Sequence, residues 1–426
     1  MRTPITRRDA MKALGASGTF ALAGCIGETG GGENQTVLLG QPTVSTSKWD
    51  FLQPAVTAAT EMTIQEVNDA GGPLGNDMEF KQRETALKPQ QARTVVQQFK
   101  NNDGATVIGG LLSSEVTPLV DFLTSQEIPI VSNWLGTTAV DTRGGDHGTP
   151  DDVSDDEWVW RTQISDSIHT AGAAQKMVSE GYENVAILNG TAQGERSWAD
   201  AFEKWFTNGG GEVVNRIEVE EGKSTYKAEL DRLFEADFDA WGLATGLNDV
   251  VTILREWSNA GYGGQLILED ALRDEALIEN AGEQAEGAWI ASPTGQGPAY
   301  DAFEEKYKSF KSDPPALHAW AVTCYDMVNV VALAAHRAGS ADPTEVEKNL
   351  GPVTRQGGTT VSNFADGKEA LDNGDEVQYQ GAATPCTFTE YGNVLGNVAI
   401  ERVTPSAFEQ VDVIPASDLE NVLDEY

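Results

Sequence analysis

Thr106-Val107-Ile108-Gly109-Gly110-Leu111-Leu112-Ser113-Ser114 is an apolar strand that turns at two glycines into a hydroxyl-rich helix start. The helix is expected to run on through residues 118–123. The same order of strand, turn and helix recurs along the chain, with further strands predicted at 36–39, 78–80, 128–131, 185–188, 213–214, 240–243 and 265–268. Apolar strands separated by helices are typical of parallel sheets covered on both faces, so the pattern predicts an α/β fold. In such sheets ligands bind beyond the carboxyl ends of the strands.

Length and charge narrow the class of protein further. A chain of 426 residues, 40% of them hydrophobic, is too long for one ordinary core, and two domains are expected. The chain carries 29 basic and 66 acidic residues, a formal net charge of -37. This charge excludes a general affinity for nucleic acid and makes anionic membrane surfaces repulsive. Dispersed acids of this kind are typical of a halophile's protein, because molar salt screens their repulsion; an ordinary acidic exported protein is the alternative.

The N-terminus has the pattern of an export signal. Arg7-Arg8 and Lys12 precede a weakly apolar stretch at 13–26, which is shorter than the about 20 apolar residues needed to cross a bilayer. The paired arginines resemble the twin-arginine signal for folded cargo. Leu22-Ala23-Gly24-Cys25 resembles a lipobox, whose cysteine receives lipid; a chance cysteine in an ordinary signal is the alternative. We expect a signal peptide at 1–25, a Gly-rich tether at 26–35, and an extracytoplasmic protein lipid-anchored through Cys25 to the outer face of the cell membrane.

Enzyme, metal and cofactor motifs are missing from the sequence. The four histidines show no paired-ligand spacing, and no GxSxG, Walker or GxGxxG motif follows a strand, so no enzyme activity, metal or cofactor is expected. The acidic insertion at 141–157 contains His147 and the possible oxygen ligands Asp146, Asp151, Asp152, Asp155 and Asp156, but it lacks EF-hand spacing, which favours a solvated loop over a cation site. Cys324 has the surroundings of a core residue. Cys324 and Cys386 either pair outside the cell or remain buried free thiols.

Several segments carry a family resemblance. The helix end Glu66-Val67-Asn68-Asp69-Ala70-Gly71-Gly72-Pro73-Leu74-Gly75 is similar to the "NAAGGxLG" segment of the branched-chain amino-acid binding proteins of ABC transporters, which have the type I periplasmic fold. Phe388-Thr389-Glu390-Tyr391-Gly392-Asn393 is similar to their "FDxxGD" turn. Between them, matching segments follow in order at 88–98, 107–118, 130–138, 238–262 and 319–327. The resemblance spans nearly all of residues 36–404.

This resemblance implies two doubly wound lobes with parallel central sheets, joined by a three-strand hinge. The crossing strands are expected near 158–161, 288–292 and 388–402. Lobe 1 then combines 36–157 with 290–387, and lobe 2 combines 158–289 with 388–426. A hinge of this kind permits closure around a ligand, driven by contacts made only in the closed state.

The expected ligand is a free amino acid, whose carboxylate needs hydroxyl and N–H donors while its ammonium needs an anion and carbonyl oxygens. The turn at Ser113 and Ser114 offers such donors, and the resemblance implies that it holds the carboxylate; the alternative is that one serine only caps the helix. Thr137 or Thr138 is expected to donate to the same carboxylate, and backbone from Trp134 to Gly136 to meet the ammonium.

An acid is expected from the second lobe. The resemblance implies that Asp249 pairs with the ligand ammonium, whereas an acid in the first turn of a helix is also a good cap. Gln193 stands where the family commonly has a tyrosine. Trp49, Phe51 and Trp320 are candidate aromatic walls, with core packing as the alternative. A larger or more polar amino acid, or a related amide or carboxylate, remains open as the ligand.

Two functional classes remain after these arguments. The first is the solute-capturing subunit of an ABC importer, with permease and ATPase subunits as partners. The second is a ligand sensor of the same fold, read by a membrane receptor.

Overall fold

Residues 36–46, 49–142 and 157–425 are described by the computed structural model. The predicted signal peptide, the lipidation residue Cys25, the tether and most of the acidic insertion lie outside these described residues. Residues Gln35–Tyr426 form one compact unit. Within the described ranges, no helix is both long and apolar enough to span a membrane.

Fourteen strands are present in the described residues. They are β1 (Leu38–Thr43), β2 (Glu79–Glu84), β3 (Val107–Gly109), β4 (Ile130–Ser132), β5 (Val159–Arg161), β6 (Asn184–Gly190), β7 (Glu212–Val219), β8 (Ala240–Ala244), β9 (Gln265–Leu268), β10 (Trp289–Pro293), β11 (Thr359–Val361), β12 (Val377–Tyr379), β13 (Val398–Val403) and β14 (Phe408–Ile414).

Thirteen α-helices are present in the same part of the chain. They are α1 (Gln53–Asp69), α2 (Pro89–Gln98), α3 (Ser113–Val116), α4 (Val120–Thr124), α5 (Asp166–Ser179), α6 (Gln193–Asn208), α7 (Lys227–Leu233), α8 (Leu247–Ala260), α9 (Glu275–Ala281), α10 (Tyr300–Phe310), α11 (Ala319–Ala338), α12 (Pro343–Leu350) and α13 (Phe364–Asp372).

Two large sheets organise these elements. The first sheet has the order β2-β1-β3-β4-β5 and is parallel throughout. The second has the order β14-β13-β10-β9-β8-β6-β7, parallel from β10 to β7 and antiparallel where β13 and β14 join. A small parallel pair, β11 and β12, stands apart. The predicted α/β class with parallel central sheets is confirmed.

The expected division into lobes remains a prediction. Of the three expected crossings, the one at 158–161 contains β5, which pairs within the first sheet. Those at 288–292 and 388–402 contain β10 and most of β13, which pair with each other in the second sheet.

One predicted helix is broken in the structure. The segment after β3 was expected to form a single helix through residues 118–123, but α3 and α4 are separated by a 3-10 turn at Thr117–Leu119. Pro118 lacks the N–H that an uninterrupted α-helix requires, which explains the break.

The core of the first sheet is centred on α11. Fifteen residues of this helix are buried, and it packs beside α1. Cys324 lies within it, and both Cys324 and Cys386 are buried free thiols. Of the two alternatives for these cysteines, the structure has the unpaired one.

Candidate functional site

A cavity of about 220 Å³ lies where the carboxyl ends of strands from both large sheets meet. The first-sheet strands β1 to β5 and the second-sheet strands β6, β7 and β9 are each followed by residues that line it. The lining residues are Trp49, Leu87, Leu112, Ser113, Ser114, Trp134, Gly136, Gln163, Asp166, Ala192, Gly194, Glu195, Glu221, Glu269, Asp270, Ala271 and Trp320. The cavity therefore occupies the position that the strand pattern predicts for a ligand site.

The hydroxyl side of the cavity is formed by Ser113 and Ser114. Gly110 makes the preceding turn with a φ of +73°, a conformation that favours glycine. The Thr137 N–H donates to Ser113 Oγ at 3.1 Å, which leaves the Ser113 O–H available as a donor. The Glu115 carboxylate accepts a hydrogen bond from the Leu112 N–H at 3.0 Å, which stabilises the turn before the serines.

The aromatic side contains three tryptophans, Trp49, Trp134 and Trp320. Trp134 and Trp320 pack edge to face with ring centroids 6.1 Å apart. The Trp134 indole N–H donates to the Gly110 carbonyl at 2.7 Å, so the ring is fixed beside the serine turn. Trp49 packs against Phe51, but Phe51 does not line the cavity.

The cavity lining also includes carboxylates. Asp166 begins α5, and Asp270 follows β9. His169 is fully buried behind both: its Nε2 lies 3.2 Å from Asp166 Oδ1, and its Nδ1 lies 3.7 Å from Asp270 Oδ1. We refer to Asp166 and Asp270 as the carboxylate pair.

His169 and Asp270 perturb each other's protonation, and the Asp166 carboxylate also acts on His169. Burial opposes the charged form of His169, but the carboxylates of Asp270 and Asp166 outweigh it and raise the pKa of the imidazole. Burial raises the pKa of Asp270, with the His169 charge acting in the opposite direction.

Two acceptors of the cavity lining have no partner among the described residues. Gln163 Oε1 and Asp166 Oδ2 are buried and accept no hydrogen bond there. Both residues line the cavity, with 2% and 7% of their surface exposed. Because buried polar atoms are nearly always hydrogen-bonded, these oxygens favour a solute that brings donors.

Arg161 fixes the turn at Gly136 and Thr137. It is fully buried on β5, pairs with Asp141, and donates to the carbonyls of Gly136 at 3.2 Å and Thr137 at 2.9 Å. The backbone of 136–137 is therefore held by a charged group that does not itself line the cavity.

The charged residues of the described cavity walls are all acidic. The acidic residues that line it are Asp166, Glu195, Glu221, Glu269 and Asp270, and no Lys or Arg is among its described lining residues. Glu195 also accepts from the Ala192 N–H at 3.0 Å at the start of α6. Such walls favour a solute with a cationic group and disfavour one that is only anionic.

Segments that follow the two sheets contact each other beside the cavity. The Thr138 N–H, after β4, donates to Ser197 Oγ on α6 at 3.0 Å. A Cβ on Gly194, also on α6, would lie 3.9 Å from Ser113 Cβ. The described structure is therefore closed at this point.

Of the sequence-predicted site residues, Ser113, Ser114, Trp134, Gly136, Trp49 and Trp320 are brought together around the cavity. Phe51, Thr137, Thr138, Gln193 and Asp249 do not line it. Thr137 is buried, and its hydroxyl accepts from the Ala139 N–H at 3.2 Å. Which of the lining residues contact a solute remains a prediction.

Asp249 does not line the cavity, and its pairing with a ligand ammonium stays a prediction. Its carboxylate accepts from the Tyr226 hydroxyl at 2.6 Å and the Gly222 N–H at 3.0 Å. The reason is local: Asp249 lies in the first turn of α8, on the side that packs against the 220–226 segment.

The sequence interpretation did not single out Gln163, Asp166 or Asp270. The signal for Asp270 was available, because Glu269-Asp270 directly follows the predicted apolar strand 265–268. The signal for Asp166 was weaker, since β5 has only three residues.

Comparisons with known proteins agree with this architecture. A family model described as "Periplasmic binding protein" matches residues 36–383. The leucine-, isoleucine-, valine-, threonine- and alanine-binding protein of Pseudomonas aeruginosa is 23% identical over 76% of this chain and 84% of its own length. The chemotactic signal transduction system substrate-binding protein BasB of Halobacterium salinarum is 24% identical over 83% of this chain and 81% of its own. The crystal structure of the leucine binding protein LivK of Thermotoga maritima superposes with a TM-score of 0.72 at 18% identity, covering 90% of this chain and all of that one.

Proposed function

The chain belongs to the periplasmic binding protein family, as the sequence resemblance predicted, and from this membership we propose that it captures a free amino acid in the cavity between its two sheets. It acts as the extracytoplasmic solute-binding subunit of an ABC importer and performs no chemistry on the solute. Permease and ATPase subunits are its proposed partners, and lipid on Cys25 is its proposed membrane anchor.

The observation that supports this proposal is the polarity of the cavity. Serine hydroxyls and the carboxylate pair line the same cavity, and these donors and acceptors match the two charged ends of an α-amino acid. The ammonium would donate to Asp166 Oδ2 and Gln163 Oε1, the acceptors without a partner among the described residues. A cavity of about 220 Å³ lies below the roughly 300–1,000 Å³ of drug-sized ligand sites, which favours a small solute.

A titration in molar KCl tests the proposal. The full panel of protein amino acids is screened by thermal shift, and hits are measured by calorimetry beside benzoate, a carboxylate without an amine. We expect one amino acid or a small group to bind with roughly micromolar affinity, about −8 kcal/mol, and benzoate to bind far more weakly. Binding of benzoate alone, or of nothing in the panel, would refute the amino-acid assignment.

A second candidate function is sensing. The Halobacterium salinarum relative, which matches 83% of this chain, is described as part of a chemotactic signal transduction system. The same closed, solute-bound form would then be read by a membrane receptor. Genes for a permease and an ATPase beside the gene for this chain would favour import, and a receptor gene alone would favour sensing.

A further inference from the structure

His169 is placed to act on the cavity without lining it. It lies one turn after Asp166 on α5 and is fully buried. Its two ring nitrogens face different elements: Nε2 is 3.2 Å from Asp166 Oδ1, and Nδ1 is 3.7 Å from Asp270 Oδ1. The single imidazole of His169 therefore contacts both members of the carboxylate pair.

The charged groups around His169 can be assigned element by element. Asp166 faces it from α5, Asp270 from the turn after β9, and the Arg161 guanidinium acts on it from β5. Arg161 is already paired with buried Asp141. On β13, which packs against α5, Glu401 is paired with Arg273.

Two further charged elements pack against α5: α6, which contributes Glu195 to the same cavity, and the C-terminal 3-10 segment Glu420–Glu425, which begins at exposed Glu420. The carboxylate pair is thus the charged group that lies within ion-pair distance of the His169 ring.

We infer that His169 is a positioning residue that holds Asp166 and Asp270 together, and that in the solute-free protein its own charge leaves the cluster of the three residues with one net negative charge. This inference rests on the proposed function and adds to it a linkage between solute binding and the protonation of His169. When the amine binds, a proton leaves His169 for the solvent, and the solute keeps its own proton.

The direction of this linkage follows from Coulomb's law. An ammonium hydrogen-bonded to Asp166 Oδ2 brings a second positive charge close to the imidazolium, and like charges disfavour each other. The bound solute therefore lowers the pKa of His169 relative to the solute-free protein. By reciprocity, the solute binds more tightly as the pH rises through the His169 titration.

Neutral His169 can still serve the site. Its Nε2–H can donate to Asp166 Oδ1 after the second ring proton has left, so Asp166 keeps its orientation. Loss of the proton thus changes the charge of the cluster without releasing the carboxylate that faces the solute.

The ring nitrogens of His169 give a direct test. The chain has four histidines, so a protein labelled with ¹⁵N-histidine has few ring signals, and His169→Gln identifies the one required. The titration is recorded in molar KCl from pH 5.5 to 8, without solute and with the amino acid that the panel identifies. We expect the His169 midpoint without solute to lie above the ordinary value of about 6.5 and to fall when the amino acid is bound.

Calorimetry provides a second readout on the unaltered protein. Binding enthalpies measured at one pH in phosphate and in Tris differ by the number of protons released multiplied by the difference between the ionisation enthalpies of the two buffers. We expect release of a fraction of one proton per solute, largest near the solute-free His169 midpoint, and near zero in His169→Gln.

The outcomes separate the two proposals. An amino acid that binds without lowering the His169 midpoint overturns this inference and leaves the proposed function standing. Release that persists in His169→Gln assigns the proton to Asp270 and also overturns it. If no amino acid binds, both proposals fall.

Discussion

The Asp166 N–H donates to the Gly136 carbonyl at 2.7 Å, and Asp166 Oδ1 occupies the place where a Gly136 Cβ would have to stand, only 2.1 Å from it. The turn after β4 and the start of α5 thus meet without room for a side chain. Because both residues line the cavity, the glycine determines where the carboxylate stands.

Gly136→Ala should weaken amino-acid binding by about tenfold or more, because Asp166 has to move away from the new methyl group; tenfold corresponds to about 1.4 kcal/mol. Calorimetry in molar KCl measures the change. Gly194→Ala is the matched control: it lies on the same cavity, but its Cβ would make an ordinary 3.9 Å contact with Ser113, and a few-fold change at most is expected. Equal losses in the two variants would contradict the predicted role of Gly136.

Asp249→Asn and Asp166→Asn should separate stability from binding. Asp249 serves the Tyr226 hydroxyl and the Gly222 N–H, so its replacement should lower the free energy of unfolding by about 1–2 kcal/mol and leave affinity unchanged. Asp166→Asn should instead cost an amino-acid ligand about 2–4 kcal/mol of binding free energy. Urea unfolding and calorimetry on both variants distinguish the two effects, and a binding loss in Asp249→Asn alone would reverse the assignment.

Glu115 should make the fold less stable as the pH rises. Burial raises the pKa of this carboxyl from 4.5 to about 7, against the hydrogen bonds from Thr85 and the Leu112 N–H. Between these values the folded protein binds more protons than the unfolded chain, so the free energy of unfolding falls as the pH rises through the window and is flat above it. At 1.36 kcal/mol per unit, the loss is about 3 kcal/mol.

The measurement for Glu115 is urea unfolding at pH 5 and pH 8 in constant KCl. Glu115→Gln should lose less stability between the two pH values than the parent does. Asp326 is buried, and its pKa is also raised to about 7, so part of the dependence will remain. Exposed Glu305→Gln is the control and should behave as the parent. An unchanged pH dependence in Glu115→Gln would show that Glu115 titrates normally.

Cys324 and Cys386 should be inert in the folded protein. Both thiols are buried; burial raises the pKa of Cys324 to about 12, and it also raises the pKa of Cys386 well above its ordinary value. Since the thiolate is the reactive form, a disulfide-exchange reagent should label neither thiol natively and both in urea, in protein carrying Cys25→Ser. Labelling of neither residue after unfolding would indicate a disulfide instead.

The strand pattern was sufficient for the fold and for the location of the cavity. Apolar runs such as 107–109 and 265–268 predict parallel strands, and all parallel strands of a sheet end at the same edge. Ser113 follows β3 of the first sheet and Asp270 follows β9 of the second, and the edges of the two sheets meet at one cavity, although the sequence gives no local link between these residues.

The identity of the acid could not be predicted in the same way. Asp166 and Asp249 both lie in the first turn of a helix that follows a strand. Their side chains point in different directions. Gly136 and His169 orient the side chain of Asp166, and Tyr226 orients that of Asp249. Such contacts join residues far apart in the chain, and no local pattern encodes them.

The walls of the cavity come from residues between 49 and 320, so the cavity exists only after this long stretch of the chain has folded. Contacts of such long sequence separation form slowly, and partly folded intermediates would have no place for a solute. Recovery of binding after dilution from urea would therefore report the last step of refolding, and a fragment ending before α11 should bind nothing.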